Sequence, residues 1–396
     1  MSLPEVAVVS AVRSPIGKFG GSLADYTPGD LGALALKEAL GRASVAGNEV
    51  GEVFFGQARQ AGGGPNVARQ VVVKAGLPVE VPACTINQAC GSGLRSIFLG
   101  AEAVMLGRSR IVAVGGVESM SRVPYLLDRA RWGYRLGNAE VVDGMYRDGF
   151  HCPLCDRIMG ETAETLAQQY KISREAQDAF AAASQNKAEA ARKAGRFDAE
   201  TFEVPPAPKS KAKTSLIVDE HPRDGVTADA LGKLPPVFGG TVTAGNASGI
   251  TDGAAALVLM AREEAEKRGL AVMGILRRYS TIALDPAVMG LGAALAAKKV
   301  LEAAEVKPDA LDAVEVNEAF AAQVLACQEL YPLPMDRTNL NGGSIALGHP
   351  IGCTGARIVV TLLHALAQRD GKLGLATLCV SGGMGLAALF ERPGRN

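Results

Sequence analysis

The sequence predicts a layered α/β protein: two copies of one α/β unit, with a long insert in the first copy. Three observations predict it. Hydrophobic residues make up 48% of the 396-residue chain, yet aromatics are only 5% and glycine contributes 47 residues. Small aliphatic side chains with many tight turns suit helices layered on sheets. Landmarks in the first third of the chain recur in the last third, about 260 residues later. Residues 119–249 have no counterpart between the two copies. At roughly 150 residues per domain the length allows two to three domains.

The elements of the first copy follow in order. Leu31, Leu34, Ala35 and Leu40 recur at helical spacing. A turn and the short strand Val53-Phe54-Phe55-Gly56 come next. Ala83-Cys84-Thr85-Ile86-Asn87 reads as a strand, and Cys90-Gly91-Ser92-Gly93 opens a helix. Leu94, Ile97, Phe98, Ala101, Val104 and Met105 give that helix a continuous apolar stripe. A strand over 111–114 is expected to end at Gly115-Gly116. In the second copy Leu291, Ala294, Leu295 and Leu301 make the helix, and Ala313-Val314-Glu315-Val316 the strand. Cys353-Thr354-Gly355 opens a helix apolar on nearly every side, which must be buried. A strand over 375–380 then runs to Gly382-Gly383. Two buried helices related by a repeat predict a central helical layer with a sheet on each side. The apolar strand at 250–260 and the charged helix at 262–268 complete the first half.

The expected organisation is therefore residues 1–118 with 250–270 as one half, 119–249 as the insert, and 271–396 as the other half. Within the insert, 161–193 is mostly helical, with Ser173 as a helix N-cap. Val204-Pro205-Pro206-Ala207-Pro208, followed by Lys209, Lys211 and Lys213, reads as an exposed loop.

Composition excludes several classes. Forty-one Lys+Arg balance 41 Asp+Glu, which argues against a nucleic-acid binder. The apolar stretches 253–261 and 358–367 are too short to span a bilayer, so no membrane is expected. Seven cysteines, an odd number over a long chain, are no disulfide scaffold. No secretory signal precedes Val6, and the C-terminus carries neither a peroxisomal tripeptide nor a prenylation box. A reduced cytoplasmic location is the expectation.

Cys90 is the first chemical candidate. A thiol at a helix N-terminus lies at the positive end of the dipole, which favours thiolate. A buried, inert cysteine is the competing reading. His349 stands in Gly348-His349-Pro350, an irregular loop that fixes a side chain without helical constraint. Imidazole is the usual base near neutral pH; a loop-supporting histidine is the alternative. His364 reads as a core residue, and His151 and His221 as surface loop residues. Cys379 ends a strand before Val380-Ser381-Gly382-Gly383, where backbone N–H groups can bind an oxyanion. Asn317 closes a strand and offers an amide, or else caps the next helix.

Other readings fail. Cys152-Pro153-Leu154-Cys155 has no second pair for zinc and a poor context for a redox motif. No dinucleotide fingerprint or phosphate-binding loop is complete, which disfavours an oxidoreductase. Two candidate thiols without a cofactor motif point to acyl-thioester chemistry.

Six segments in this order resemble the thiolase family across essentially the whole chain. They are Asn87-Gln88-Ala89-Cys90-Gly91-Ser92-Gly93, Gly115-Gly116-Val117-Glu118-Ser119-Met120-Ser121, Gly245-Asn246-Ala247-Ser248-Gly249, Asn317-Glu318-Ala319-Phe320, Gly348-His349-Pro350 and Cys379-Val380-Ser381-Gly382-Gly383. The likeness is greatest to the acetyl-CoA acetyltransferases. The resemblance implies duplicated βαβαβαββ units in a five-layer α-β-α-β-α arrangement, an inserted loop domain, and dimers or tetramers. It implies that Cys90 carries the acyl group, His349 accepts the Cys90 proton, and Cys379 moves the α-proton. It implies one oxyanion hole from Asn317, through a water, with His349. The other comes from the backbone N–H groups of Cys90 and Ser381. Arg223 and Ser248 match family positions that contact coenzyme A. Met159, Leu231, Phe238, Ala319 and Phe320 match pocket positions. Coenzyme A thioesters are then substrates, with no metal or redox cofactor. The implied reaction interconverts two acetyl-CoA with acetoacetyl-CoA plus CoA. The rivals are a broad-chain 3-ketoacyl-CoA thiolase of fatty-acid degradation and a catalytically silent lipid-binding scaffold. Ile158 stands where short-chain members often have His, and Ser381 where the family usually has Gly. Residues 122–137, with Tyr125, Trp132 and Tyr134, offer an assembly surface.

Overall fold

The computed structural model describes residues 3–394 apart from 209, 211 and 212. Lys209 and Lys211 thus lie outside the described residues. The first copy runs β1 (Val6–Arg13), α1 (Pro28–Arg42), β2 (Glu52–Gly56), α2 (Val67–Lys74), β3 (Ala83–Ile86), α3 (Ser92–Met105) and β4 (Ile111–Ser119). The insert holds a hairpin of β5 (His151–Cys152) and β6 (Arg157–Ile158), then α4 (Met159–Gln169) and α5 (Arg174–Lys193). Ser173 caps α5, its side chain accepting from the Ala176 N–H. The chain returns through β7 (Thr251–Ala261), which lies between β1 and β4. The second copy runs β8 (Gly274–Ala283), α6 (Gly292–Ala304), β9 (Ala313–Val316), α7 (Ala321–Leu330), α8 (Ile351–Gln368), β10 (Leu373–Val380) and β11 (Met384–Glu391).

Strand order is β1-β7-β4-β2-β3 in the first half and β8-β11-β10-β9 in the second. The third strand of the repeat survives in the second half only as a single parallel bridge between Val314 and Thr338. Edge strands β1 and β8 pair antiparallel over Val6–Val8, so the two sheets are continuous there.

Alternation along the strands assigns the layers. On β7, Ala254, Ala256, Val258 and Met260 pack with Leu31, Leu36 and Val71 of α1 and α2. Their neighbours Ala255, Leu257 and Leu259 pack with Leu94, Ile97 and Phe98 of α3 and with Ile358 and Leu362 of α8. On β10, Ala376, Leu378 and Val380 face that same central layer, while Leu375 and Cys379 face α6 and α7. Period-two alternation with both faces apolar is what a sheet covered on both sides requires. The result is five layers: α1 and α2, sheet, α3 and α8, sheet, α6 and α7.

Three expectations need correction. Gly115 and Gly116 do not end β4; they sit inside it. A Cβ on Gly115 would meet the carbonyl of Ala255, and one on Gly116 the carbonyl of Gly352. These glycines serve close backbone approach, not a turn. The apolar stretch at 358–367 belongs to a helix of 18 residues, long and apolar enough to cross a membrane by composition, but it is 83% buried between the sheets. The proline-rich segment is not wholly exposed: Val204 and Ala207 are buried against the first half, and Val204 exchanges backbone hydrogen bonds with Leu216.

Buried charges fasten the insert to the first half. Arg13 on β1 donates to Glu200 at 2.6 Å and, bidentately, to Asp219 at 2.7 and 3.0 Å. Asp219 also accepts the Ile16 N–H at 2.7 Å. Charge pairing with short hydrogen bonds is what lets such groups sit in low dielectric, although Oε2 of Glu200 is buried without a hydrogen-bond partner among the described residues.

The central helices cross at their N-termini with almost no side chain between them. A Cβ on Gly93 would lie 2.7 Å from the Ala356 nitrogen and 3.0 Å from the carbonyls of Gly352 and Cys353. One on Gly355 would strike the backbone of Leu94. Backbone cannot move aside as a flexible side chain can. Gly93→Ala is therefore expected to cost about 1–3 kcal/mol or more by overpacking, read as a lowered midpoint in urea unfolding; an unchanged midpoint contradicts the close crossing.

Candidate active site

The strand β3 delivers Cys90 through a strained turn. Ala89 adopts φ +44°, the left-handed region that costs a residue with a Cβ about 1–3 kcal/mol. Local bonds hold it there. The Asn87 Oδ1 accepts the Ala89 N–H at 3.0 Å. The Ser92 hydroxyl accepts the Gln88 N–H at 2.9 Å and donates to the Ala89 carbonyl at 2.6 Å. The turn throws Cys90 to the cavity wall just before α3 begins at Ser92.

His349 arrives from the second half. Gly348, at φ +102°, makes the bend before it, and the His349 N–H donates to the Gly249 carbonyl at 3.1 Å. The ring is buried, with Nδ1 2.6 Å from the Thr354 hydroxyl and Nε2 3.4 Å from the Asn317 amide nitrogen. Asn317 is fully buried at the end of β9. It does not cap a helix: α7 starts at Ala321 and its cap position is Phe320. Glu118 ties these pieces together, accepting N–H groups from Ala58 (3.0 Å), Arg59 (3.0 Å) and Gly352 (2.8 Å). Gly352 lies in the first turn of α8, where a buried carboxylate also meets the helix dipole.

Cys379 lies near the end of β10, buried, opposite Gly385. The turn after it uses Gly382 (φ +85°) and Gly383 (φ +81°). Ser381 needs no left-handed conformation, so serine fits where glycine is usual. The backbone N–H groups of Ser381 and of Cys90 itself favour the thiolate form of Cys90.

Burial sets the electrostatics. The Cys90 thiol is raised above its ordinary value by desolvation first, against the Ser381 N–H and the Arg59 charge, which lower it. This runs against the expectation that a helix start would favour thiolate: burial outweighs the Ser381 N–H and the Arg59 charge. Cys379 is raised well above its ordinary value by burial, then by Cys90 and Cys327. His349 is pushed down to about 3 by burial, then by the charges of Arg357 and Arg59. The resting site is thus two neutral thiols beside a neutral imidazole, with each charge appearing only when a proton moves.

These groups share a cavity of about 200 Å³. Cys90, His349, Cys379, Ser381, Met159, Phe238, Ser248, Ala319 and Phe320 all line it, as expected from sequence. Asn317 is not on the wall; its amide nitrogen lies 3.4 Å from Nε2 of His349. Arg223 is exposed and outside the lining, with its N–H donating to Gln185 at 2.9 Å. Leu231 packs against a separate cluster of Ala181, Ala321 and Ile345. His221 is not a surface residue: its Nδ1 bonds the Ala346 carbonyl at 2.7 Å, and its ring fills the space a Cβ on Gly249 would need. Sequence reading missed Arg59, Met289, Ile351 and Thr354. The hydroxyl five residues after His349 was a usable signal for Thr354; the others are brought in by packing. Among the described residues no cluster of three or more His, Cys, Asp or Glu is arranged to hold a metal ion.

A nucleophilic thiol on a strained turn, a buried imidazole base and a second buried thiol on one cavity define an enzyme of covalent thiol chemistry. The family model "Thiolase, N-terminal domain" matches residues 6–263, and "Thiolase, C-terminal domain" matches residues 270–392. The chain belongs to the thiolase family. It is 49% identical over 392 residues to the acetyl-CoA acetyltransferase of Cupriavidus necator, covering 98% of this chain and 100% of that one. The solved acetyl-CoA acetyltransferase of Bacillus anthracis superposes with TM-score 0.96 at 42% identity, covering 99% and 100% of the two chains. Human mitochondrial 3-ketoacyl-CoA thiolase in complex with CoA superposes with TM-score 0.94 at 38% identity, covering 99% of each.

The resting protonation has a measurable sign. A raised thiol pKa leaves Cys90 protonated at pH 7, and each pH unit below that pKa lowers the thiolate fraction about tenfold. Alkylation of Cys90 by iodoacetamide, followed by peptide mass analysis, should climb steadily from pH 6 to 9. Because His349 stays neutral down to about 3, no inflection should appear near the ordinary histidine value. A plateau beginning near pH 6 would mean a resting thiolate–imidazolium pair and would refute this picture.

Proposed function

We propose that this protein interconverts two acetyl-CoA with acetoacetyl-CoA plus CoA through an acetyl-Cys90 thioester. The observation that carries the reading is the convergence of Cys90, the His349–Asn317 pair and Cys379 on one cavity. The names of the full-length relatives support the substrate.

The geometry supports a proton-balanced sequence. Cys90 attacks the thioester carbon of the first acetyl-CoA and passes its proton to Nε2 of His349. The tetrahedral oxyanion forms in low dielectric, where fixed donors are worth most. Loss of CoA as a thiolate takes the Cys379 proton, leaving acetyl-Cys90, an imidazolium and a Cys379 thiolate. That thiolate removes the α-proton of the second acetyl-CoA. The new carbanion attacks acetyl-Cys90, and the departing Cys90 thiolate recovers its proton from His349. In the thiolytic direction the neutral Cys379 donates. Nucleophile, base and oxyanion donors all come from the chain, so we infer that no metal or redox cofactor takes part.

Coenzyme A would run over the insert, past Met159, Phe238 and Ser248, with Ala319 beside Ser248 and Phe320 next to it on the same wall. The exposed Arg223 is a cation for its phosphates. Ile158 at the cavity wall in place of histidine favours one second reading, a broad-chain 3-ketoacyl-CoA thiolase of fatty-acid metabolism. We place the reaction in the cytoplasm, and the assembly at a dimer or tetramer. Trp132 is 85% exposed and Leu136 98% exposed, with Tyr125 and Val141 also bare; a large apolar surface of that kind marks an interface.

Cys90→Ala is expected to abolish both acetyl labelling and turnover, with chelator present throughout; retained turnover sinks the assignment. Cys379→Ala should keep labelling at Cys90 and lose condensation by roughly 10²- to 10⁴-fold. Thiolysis should be fastest on the four-carbon ketoacyl-CoA; equal or faster rates on longer chains select the second reading. Light scattering should give a dimer or tetramer, and the double change Trp132→Glu with Leu136→Glu should lower that mass. An unchanged mass would move the interface elsewhere.

A further inference from the structure

His349 can act as the base only if the nitrogen facing the thiols carries the lone pair, and the hydrogen-bond network around it decides which nitrogen that is. Start at one end. Arg357 can only donate, and its Nη2 donates to the Ser344 hydroxyl at 2.8 Å. The Ser344 proton is then free for one acceptor, and Ser344 Oγ lies 2.6 Å from the Asn317 Oδ1. That bond fixes the amide: its oxygen faces Ser344, so its NH₂ faces His349 Nε2. A donor facing Nε2 favours an unprotonated Nε2 over one carrying a second N–H.

The other end gives the same answer by a separate route. The Thr354 hydroxyl sits 3.0 Å from the Pro350 carbonyl, which can only accept. That carbonyl also accepts the N–H groups of Cys353 and Thr354 at 2.9 Å each; with the hydroxyl proton directed there as well, the Thr354 oxygen is left to accept Nδ1–H across the 2.6 Å contact. Both chains are satisfied together by the Nδ1–H tautomer. The Asn317 contact, at 3.4 Å, is long enough to aim the amide without tying up the Nε2 lone pair. Arg357 is itself held in the core, fully buried, with Glu315 3.3 Å away. Glu315 and Asn317 lie two residues apart along β9 and the turn after it, so one strand carries both ends of the lock.

We propose that Ser344 and Thr354 are positioning residues that hold His349 as the Nδ1–H tautomer, with Arg357 locking the orientation of Ser344. The assignment rests on His349 serving as the base in the thiolase reaction proposed above. Without the Ser344 hydroxyl, nothing on that side distinguishes the two amide orientations. In the flipped one, Oδ1 faces Nε2 and stabilises a proton there, where the base should be bare.

The test is ¹⁵N spectroscopy of histidine-labelled full-length protein, with the four histidines assigned by single substitutions. Wild-type His349 should show a protonated Nδ1 and a bare Nε2 without substrate present, so this reading stands apart from any outcome of the activity assays. Ser344→Ala and Thr354→Val should each move His349 towards the Nε2–H form. Each should lower kcat about 10- to 100-fold with KM little changed. A wild-type spectrum showing Nε2–H overturns the proposal even if neither variant folds. So does a loss of kcat with the tautomer unmoved, which is a purely structural effect, or a moved tautomer with wild-type kcat.

Discussion

The structure depends on two helices meeting backbone to backbone. α3 and α8 come from different copies of the repeat, and their first turns cross where Gly93 and Gly355 leave no Cβ between them. Each helix is preceded by the loop that carries a reacting group, Cys90 before one and His349 before the other. The closeness of the crossing thus brings Cys90 and His349 onto one cavity. Glu118 reinforces it by taking N–H groups from the loop after β2 and from the start of α8. Gly116 on β4 lets the carbonyl of Gly352 approach the sheet. Side chains larger than hydrogen at these points would separate the two halves of the site.

The same burial that packs the centre also sets its chemistry. Thiols are pushed up and the imidazole down, all by desolvation first. Reacting groups with no standing charge of their own give fixed dipoles their greatest effect when an oxyanion or enolate forms. Two arginines nearby bias the same balance. Arg59, 8% exposed, lines the cavity and lies close enough to lower both the Cys90 and the His349 values. Arg357 acts on His349 from the core side. Positive charge here favours thiolate and opposes imidazolium, so it assists proton release by Cys90 but resists proton uptake by the base. The bonds around His349 matter because they settle which nitrogen receives that proton.

Much of this was legible in the residues. The repeat showed in the paired helices and strands, the central helical layer followed from two buried helices, and the five layers were implied by the family resemblance. Cys90, His349, Cys379 and Ser381 were legible because glycines and strand ends mark them, and the cavity gathers all four. Gly115 and Gly116 misled, because a glycine pair marks either a turn or a close approach, and only the neighbouring strand and helix tell which. His221 misled because a loop residue can still turn its ring inward against Ala346. Arg223 and Leu231 were drawn from likeness alone, and neither lies on the cavity wall of the chain by itself.

By itself the sequence determined the order of elements and the duplication, and it singled out Cys90, His349 and Cys379 as chemical candidates. Those depend on periodicity, on turn-forming residues and on side-chain chemistry, which are local. Only the tertiary structure decided the protonation of the thiols, the tautomer of His349 and the partners that hold it. Desolvation depends on how much apolar mass surrounds a group from every direction. A hydrogen-bond chain from Arg357 through Ser344 to Asn317 joins residues on different elements. Neither quantity has a signature along the chain.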